Sequence, residues 1–372
     1  MPTLAETLSR HTREGELYER IDAGRIRCVA CGHRCPIPDG SVGVCKVRYN
    51  DGGHLRVPWG YVAGVQCDPV EKKPFFHAYP GGLAYSFGML GCDLHCGYCQ
   101  NWVTSQALRD PAARIPPVAR SPRELVDEAV SLGARLLVST YNEPLITAEW
   151  GVAVFRKARA AGLATGFVSN GNATPEVLEY LRPWLDLYKV DLKGFHDRHY
   201  RELGGRLQPI LDTIQQIYAA GIWLEIVTLL IPGFNDGPAE VRALTRFIAG
   251  VSPEIPWHVT AFHRDYNMTD TAETTPDMLR RAAEIGRKAG LQFVYAGNRP
   301  GEVGNLEHTA CPHCGIRLIE REGYGVIRYA LTEKGRCSGC GALVPGRWDT
   351  LVDRQSAARP IQPRSRRLRV IP

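Results

Sequence analysis

The twelve cysteines of this 372-residue sequence fall into three closely spaced groups, and Cys67 stands alone. The groups are Cys28, Cys31, Cys35 and Cys45; Cys92, Cys96 and Cys99; and Cys311, Cys314, Cys337 and Cys340. The first 25 residues are charged throughout and contain no apolar signal core, so we expect a cytoplasmic protein. Closely spaced thiols in a reducing compartment predict metal or cluster ligation rather than disulfides.

The middle group has the spacing Cys-x3-Cys-x2-Cys on one short loop, from Cys92 to Cys99. Three thiolates on a tight loop can hold three irons of a [4Fe–4S] cluster and leave the fourth iron open. An open position can bind a substrate or cofactor, as it does in catalytic zinc sites. The alternative interpretation is a structural zinc site completed by His95.

The outer groups predict two further metal sites. Cys311-x2-Cys314-Gly and Cys337-x2-Cys340-Gly are separated by 22 residues, which predicts a zinc ribbon, with rubredoxin-like iron as the alternative. Because a module of this size lacks a hydrophobic core, the bound metal would supply its folding energy. The first group places four thiolates within 18 residues and predicts either zinc or an auxiliary iron–sulfur cluster.

The elements that position these groups can be predicted from Leu83 onward, where short β-rich runs alternate with amphipathic helical stretches. The predicted strands are 83–90, 136–141, 164–169, 187–192, 222–231, 257–262 and 291–296. This alternation predicts an α/β fold with a mainly parallel sheet, as an incomplete (β/α) barrel, with a doubly wound sheet as the alternative. Helix starts are predicted at Ser121, Thr174 and Thr275, each followed by proline.

Polar side chains follow these strands where the carboxyl ends of a parallel sheet place ligand sites. The cysteine trio follows the first strand, and further polar residues follow or end the later ones: Asn142 and Glu143, Asn170, Asp191 and Lys193, His263, and Asn298. We therefore expect one site at this edge of the sheet.

The segment from Gly91 to Asn101, with an aromatic residue before the third cysteine, resembles the signature of radical S-adenosylmethionine (SAM) enzymes. The resemblance extends from about Leu83 to Gly301. It implies that the open iron binds the amino and carboxylate groups of SAM, that an electron from the cluster cleaves the sulfonium, and that the resulting 5′-deoxyadenosyl radical abstracts hydrogen from a substrate.

The resemblance also implies roles for residues at two strand ends. The family's Gly-Gly-Glu-like element is replaced here by Tyr141-Asn142-Glu143-Pro144, in which Glu143 would hold the ammonium of SAM. Ser169 and Asn170 resemble the element that contacts the methionine carboxylate or the ribose.

Further implied SAM contacts lie on three other segments. Asp191-Leu192-Lys193 resembles a motif of glycyl-radical-enzyme activases, in which Asp191 and Lys193 would lie beside SAM. His263 matches a histidine near the ribose, with a buried core histidine as the alternative. Tyr98 occupies the position of the aromatic residue that packs by the adenine.

A narrower resemblance is to the radical SAM enzymes of the AmmeMemoRadiSam system, which are related to pyruvate formate-lyase activating enzymes. It is carried by the segments 67–77, 141–144 and 191–194. It implies an electron donor of the flavodoxin or ferredoxin type, and Memo-like and Ammecr-like proteins as partners.

The formal net charge of +6 comes from one end of the chain. Residues 354–372 contain six arginines and no acid, while the rest carries equal numbers of basic and acidic side chains. We expect four regions: a Cys-rich segment (1–80), a radical SAM barrel (81–304), a zinc ribbon (305–350) and a disordered basic tail (351–372), which could bind nucleic acid. No apolar run has the roughly 20 residues that span a bilayer, so no membrane partner is expected.

These observations predict a radical SAM enzyme that acts on a protein or RNA, with a small-molecule substrate as a further alternative. One alternative is an activase that takes hydrogen from a backbone glycine of a glycyl-radical enzyme. An alternative from another class is a non-catalytic zinc protein that binds nucleic acid. That class does not explain a three-cysteine site with polar residues at successive strand ends.

Overall fold

The structure, a computed structural model, describes residues 3–113, 115–332 and 334–348. The predicted basic tail, 351–372, lies outside these residues. Within the described ranges, every helix is too short or too polar to cross a membrane.

The chain before Gly64 forms one helix and seven short strands. These are α1 (Leu4–Ser9), β1 (Thr12–Glu14), β2 (Tyr18–Arg20), β3 (Arg25–Cys28), β4 (Pro36–Pro38), β5 (Tyr49–Asp51), β6 (His54–Pro58) and β7 (Tyr61–Val62). They pair as two antiparallel sheets, β1-β6-β5 and β2-β3-β4, while β7 pairs with a later strand, β10. The sequence shows no period here because each strand has only two to five residues.

One eight-stranded sheet dominates the rest of the molecule. The strands are β8 (Gly64–Pro69), β9 (Leu83–Gly88), β10 (Val118–Ala119, outside this sheet), β11 (Ala134–Ser139), β12 (Ala164–Ser169), β13 (Leu187–Asp191), β14 (Trp223–Leu230), β15 (Trp257–Ala261) and β16 (Val294–Gly297). Their order is β16-β15-β14-β13-β12-β11-β9-β8. The seven predicted strands are all present and parallel to one another.

This strand order distinguishes between the two predicted architectures. From β9 to β16 each sheet strand pairs with the next one along the chain, without the reversal of order that defines a doubly wound sheet. The predicted incomplete barrel of the α/β class is therefore confirmed. The sequence did not reveal β8, which pairs antiparallel with β9 and forms one edge, because Gly64-Val-Gln-Cys-Asp-Pro69 has no clear alternation.

Eight helices of the described residues belong to the barrel: α2 (Trp102–Ser105), α3 (Pro122–Ser131), α4 (Ala148–Ala160), α5 (Pro175–Leu181), α6 (Asp197–Glu202), α7 (Leu207–Ala219), α8 (Pro238–Val251) and α9 (Pro276–Lys288). The three helix starts predicted from the sequence are present, at α3, α5 and α9. Ser121 and Glu124 form the predicted capping box, with hydrogen bonds of 3.2 and 2.7 Å. Thr174 and Thr275 accept from the third backbone N–H of α5 and α9. These caps stabilise the first turns and so fix where the preceding loops end.

The C-terminal module contains β17 (Thr309–Ala310), β18 (Arg317–Glu322) and β19 (Gly325–Tyr329) in one antiparallel sheet. It packs against Phe76, Phe293 and Tyr295, which form a cluster with Cys311 and Cys337. The module is thus joined to the barrel through apolar contacts.

A buried polar network at the amino end of the sheet strengthens this junction. Glu225 accepts hydrogen bonds from the N–H groups of Phe76 and His77 at 3.0 and 2.9 Å, and lies 2.7 Å from His258. The His77 ring donates from Nδ1 to the carbonyl of Pro345 at 2.7 Å. Its Nε2 lies 2.6 Å from the hydroxyl of Tyr295 and accepts from it when the ring is neutral.

This environment predicts a pH-dependent stability. Burial lowers the pKa of His77 to about 4, whereas an imidazole in the unfolded chain titrates near 6.5. Between these values the unfolded state binds a proton that the folded state excludes, so stability is present above about pH 6.5 and is lost as the pH falls. From this residue we expect a loss of about 1 kcal/mol between pH 7 and pH 5.5.

Comparison with His77→Gln tests this expectation, because glutamine can donate and accept a hydrogen bond but does not titrate. Denaturant unfolding of both metal-loaded proteins at the two pH values should show a flatter pH dependence for the variant. Identical pH dependence in the two proteins would contradict the assignment.

Candidate active site

Three cysteines lie on the loop that connects β9 to α2 at the carboxyl edge of the sheet. Cys96 is buried, and Cys92 and Cys99 are half-buried. The loop begins at Gly91, whose φ is +95°. A Cβ at that position would lie 3.0 Å from the carbonyl oxygen of Cys45 and 2.9 Å from Val47, so glycine allows the N-terminal segment to pack directly on the cysteine loop.

The surroundings of these sulfurs fit an iron–sulfur cluster. The N–H of Leu94 lies 3.4 Å from Cys92 Sγ, and the hydroxyl of Ser105 lies 3.1 Å from Cys99 Sγ. Hydrogen bonds to sulfur are typical of cluster sites and tune their potentials. Burial raises the pKa of Cys96 to about 11, so metal binding would displace the thiol proton.

The alternative of a zinc ion completed by His95 is not supported. The imidazole of His95 lies over Gly204, where a Cβ would be only 2.2 Å from the ring. Among the described residues, the one group of at least three ligand atoms within 4.8 Å of one another is formed by the C-terminal cysteines. The atoms of the Cys92 loop are thus spread too widely for a single tetrahedral ion.

Glu143 is a buried carboxylate next to this loop. It accepts hydrogen bonds from Ser169 Oγ at 2.7 Å, from Asn170 N at 2.8 Å and from Leu145 N at 3.1 Å. Burial raises the pKa of Glu143 to about 8, and the charge of Asp93 adds to this effect. The structure therefore brings the predicted Glu143, Ser169 and Asn170 together, and a bound cation here would favour the ionised form.

Asp93 belongs to this site although the sequence pattern does not predict it. Its carboxylate is fully buried and accepts from Asn170 Nδ2 at 2.7 Å and from Asn172 Nδ2 at 2.8 Å. These bonds tie the cysteine loop to the turn after β12. The signal available in the sequence was an acid inside the cysteine motif, but its amide partners are more than 70 residues away.

The end of β13 supplies a group of charged side chains. Asp191 pairs with Lys189, and Lys193 Nζ lies 3.8 Å from Asp191 Oδ2. Burial would raise the pKa of Asp191, but the charges of the two lysines outweigh burial and lower it. Burial alone would lower the pKa of Lys193. The charges of Asp191 and Cys96 outweigh the effect of burial and raise that pKa. Lys193 is therefore a permanent cation beside the Cys96 sulfur.

The two remaining predicted site residues are Tyr98, within the cysteine loop, and His263, in the loop after β15. Tyr98 is buried against Phe234, with ring centroids 6.1 Å apart. His263 is exposed and accepts a hydrogen bond from the Gln100 amide at 2.9 Å. The interpretation of His263 as a core histidine is therefore wrong.

The N-terminal cysteines form a second group of thiols close to the first. Cys28 ends β3, and its N–H donates to the carbonyl of Cys35 at 3.0 Å. The N–H of Val44 lies 3.5 Å from Cys35 Sγ, which brings the segment that carries Cys45 to the same place. Cys28, Cys31 and Cys45 are buried, and Cys35 is half-buried.

The C-terminal cysteines form a compact tetrad. The sulfurs of Cys311 and Cys340 lie 3.7 Å apart, and those of Cys314 and Cys337 lie 3.6 Å apart. A tetrahedral zinc ion with Zn–S bonds of about 2.3 Å places its sulfurs roughly 3.8 Å apart. The geometry of this tetrad fits one such ion.

The class of this protein follows from its fold, from its cysteine site and from its similarity to a known protein family. Residues 88–246 match the Radical SAM superfamily, and this range holds the cysteine trio, Glu143, Ser169, Asn170, Asp191 and Lys193. The chain belongs to the radical SAM superfamily and is an enzyme.

Three relatives illustrate how far the similarity extends. Uncharacterized protein MJ0808 of Methanocaldococcus jannaschii is 35% identical over 335 residues, which cover 89% of this chain and 98% of that protein. The isethionate sulfite-lyase activating enzyme of Desulfovibrio desulfuricans is 29% identical over 33% of this chain and 40% of its own length. The pyruvate formate-lyase-activating enzyme of Staphylococcus aureus is 24% identical over 49% of this chain and 76% of its own length.

Proposed function

We propose that this enzyme binds SAM against the Cys92 loop and uses it to take a hydrogen atom from a protein substrate, in the manner of glycyl-radical-enzyme activases. The observation that carries the proposal is the convergence of a buried carboxylate, a permanent cation and three thiols at one edge of the sheet. When bound at Cys92, Cys96 and Cys99, a [4Fe–4S] cluster supplies the electron that cleaves the SAM sulfonium.

The side chains around the loop suit the charged groups of SAM. Glu143 is held by Ser169 and Asn170 in one orientation, from which it would pair with the SAM ammonium. Those same two residues would contact the methionine carboxylate or the ribose.

The other predicted contacts would complete the site. Lys193 and Asp191, which lie near Cys96, would fix the charged end of the cofactor. Tyr98 would pack by the adenine, and His263, exposed at the loop after β15, would reach the ribose.

A protein substrate is favoured over RNA by the similarity to two named activating enzymes. The proposed reaction removes one hydrogen atom from a backbone glycine and yields 5′-deoxyadenosine, methionine and a glycyl radical. An electron donor of the flavodoxin or ferredoxin type would supply one electron per turnover. The AmmeMemoRadiSam resemblance adds Memo-like and Ammecr-like proteins as candidate partners.

The C-terminal tetrad, Cys311, Cys314, Cys337 and Cys340, is proposed to hold structural zinc. The short distances between its four sulfurs support this assignment. Because the tetrad packs on Phe76 and Tyr295, we expect the zinc to stabilise the junction between the C-terminal module and the barrel. The arginine-rich tail that follows would contact nucleic acid or an acidic partner.

Deuterium transfer tests the nature of the substrate. The reduced enzyme and SAM are incubated anaerobically with an extract of the source cells grown on α-deuterated glycine. We expect deuterium in the 5′-deoxyadenosine, transfer that survives ribonuclease, and loss of transfer after protease treatment. An extract labelled on leucine instead of glycine is the matched control and should give no transfer.

Two results would overturn the glycine proposal. Loss of transfer after ribonuclease would assign the substrate to RNA. Release of unlabelled 5′-deoxyadenosine in response to the glycine-labelled extract would assign the abstracted hydrogen to another residue.

A further inference from the structure

The N-terminal cysteines are packed directly against the loop that carries the first thiol site. His33 Nε2 donates to the carbonyl of Asp93 at 3.1 Å, and the carbonyl of Cys45 lies over Gly91. The N–H of Gly32 donates to the carbonyl of Asn172 at 2.8 Å. The segment with Cys28, Cys31, Cys35 and Cys45 therefore touches both the cysteine loop and the turn after β12.

The separation of the sulfurs distinguishes among the metal centres that four thiols could hold. In the C-terminal tetrad all four ligand atoms lie within 4.8 Å of one another, as one tetrahedral ion requires. Of the described residues, no three ligand atoms in the N-terminal group or in the Cys92 group meet this limit. Within the described residues, the N-terminal group therefore shares with the Cys92 group the lack of the close sulfur contacts that mark the zinc-like tetrad.

Backbone N–H groups close to sulfur indicate a metal centre of either kind, since Gly339 N also lies 3.3 Å from Cys337 Sγ in the C-terminal tetrad. The N–H of Val44 lies 3.5 Å from Cys35 Sγ, as the N–H of Leu94 lies close to Cys92 Sγ in the first site. Arg34 and Lys46, the neighbours of Cys35 and Cys45, have φ of +44° and +67°. These two left-handed residues turn the chain sharply beside the thiols, at a cost that a bound metal centre would offset.

We infer that Cys28, Cys31, Cys35 and Cys45 hold a second iron–sulfur cluster, of the [4Fe–4S] class, beside the cluster of the Cys92 loop. The inference rests on the proposed function only for the identity of that first cluster. Four thiolates occupy the outer position of every iron, so the second cluster has no open site for SAM or substrate. Its chemistry is limited to the exchange of single electrons with a low-potential donor and with the first cluster.

Metal and sulfide analysis of the full chain tests the assignment. After anaerobic reconstitution, we expect about eight iron and eight sulfide per chain and one zinc in the C-terminal tetrad. The variant Cys92→Ala/Cys96→Ala/Cys99→Ala should keep about half of the iron, and addition of Cys28→Ala and Cys35→Ala should remove the rest. Cys67→Ala, which changes a cysteine outside all three groups, should match the wild type.

A spectroscopic measurement on the wild-type protein keeps the test independent of folding in the variants. The reduced enzyme should give two cluster signals by electron paramagnetic resonance, and SAM should change one of them and leave the other in place. Four iron with two zinc per chain and a single SAM-responsive signal would overturn the second cluster while leaving the proposed function intact. Two signals that SAM leaves unchanged would contradict the proposed function and would still support the assignment of a second cluster.

Discussion

Replacement of Cys96 by alanine is expected to abolish reductive cleavage of SAM. Cys96 is the buried central thiol of the loop between β9 and α2, and its loss removes one of three ligands to the cluster that donates the electron. With two ligands left, the first cluster should not assemble, so iron should fall by about four per chain. The measurements are iron content after anaerobic reconstitution and 5′-deoxyadenosine released from SAM under dithionite.

Cys67→Ala is the matched control for this prediction, because Cys67 lies in β8 and belongs to none of the three cysteine groups. It should retain wild-type iron content and SAM cleavage. If Cys96→Ala also kept its iron and released 5′-deoxyadenosine, the assignment of the trio as cluster ligands would be wrong.

Glu143→Gln should weaken SAM binding by about 10- to 150-fold, because a hydrogen bond to a charged group contributes about 1.5–3 kcal/mol. Glutamine keeps the size of the side chain and an oxygen that can accept from Asn170. It lacks the negative charge that would pair with the SAM ammonium. Equilibrium dialysis of SAM with the iron-loaded protein measures the effect without requiring turnover.

Iron content separates a binding effect from a loss of the cluster, and Glu143→Gln should leave it unchanged. Glu284→Gln, an exposed acid on α9, is the matched control and should bind SAM as the wild type does. Equal dissociation constants for the wild type and Glu143→Gln would show that this carboxylate does not hold the ammonium.

Much of the fold could be predicted because local signals and tertiary structure agree in the barrel. The seven parallel strands are buried runs of mostly apolar residues, and three of the helices between them start with a capping residue and proline. β8 was missed because its signal is not local: Gly64–Pro69 becomes a strand through pairing with β9. The short strands around the first cysteines were missed for the same reason.

The sequence predicts most residues of the candidate site but not the hydrogen bonds that join them. Strand-end position was enough to select Glu143, Asn170 and Asp191, since parallel strands bring their carboxyl ends to one edge. The role of Asp93 depends on amides from another strand end, and no sequence spacing encodes that contact. The hydrogen-bond network around Glu225 and His77 could not be predicted from the sequence either, because its members are isolated polar residues within apolar runs.

The anaerobic reaction of the reconstituted wild-type enzyme with SAM and a low-potential reductant tests whether the Cys92 loop holds the catalytic cluster. If the Cys92 loop holds a SAM-binding cluster, the product mixture should contain 5′-deoxyadenosine and methionine. Their formation should require both the reductant and the iron–sulfur cluster. A fully iron-loaded, reduced protein that leaves SAM intact would contradict this assignment of the Cys92 loop.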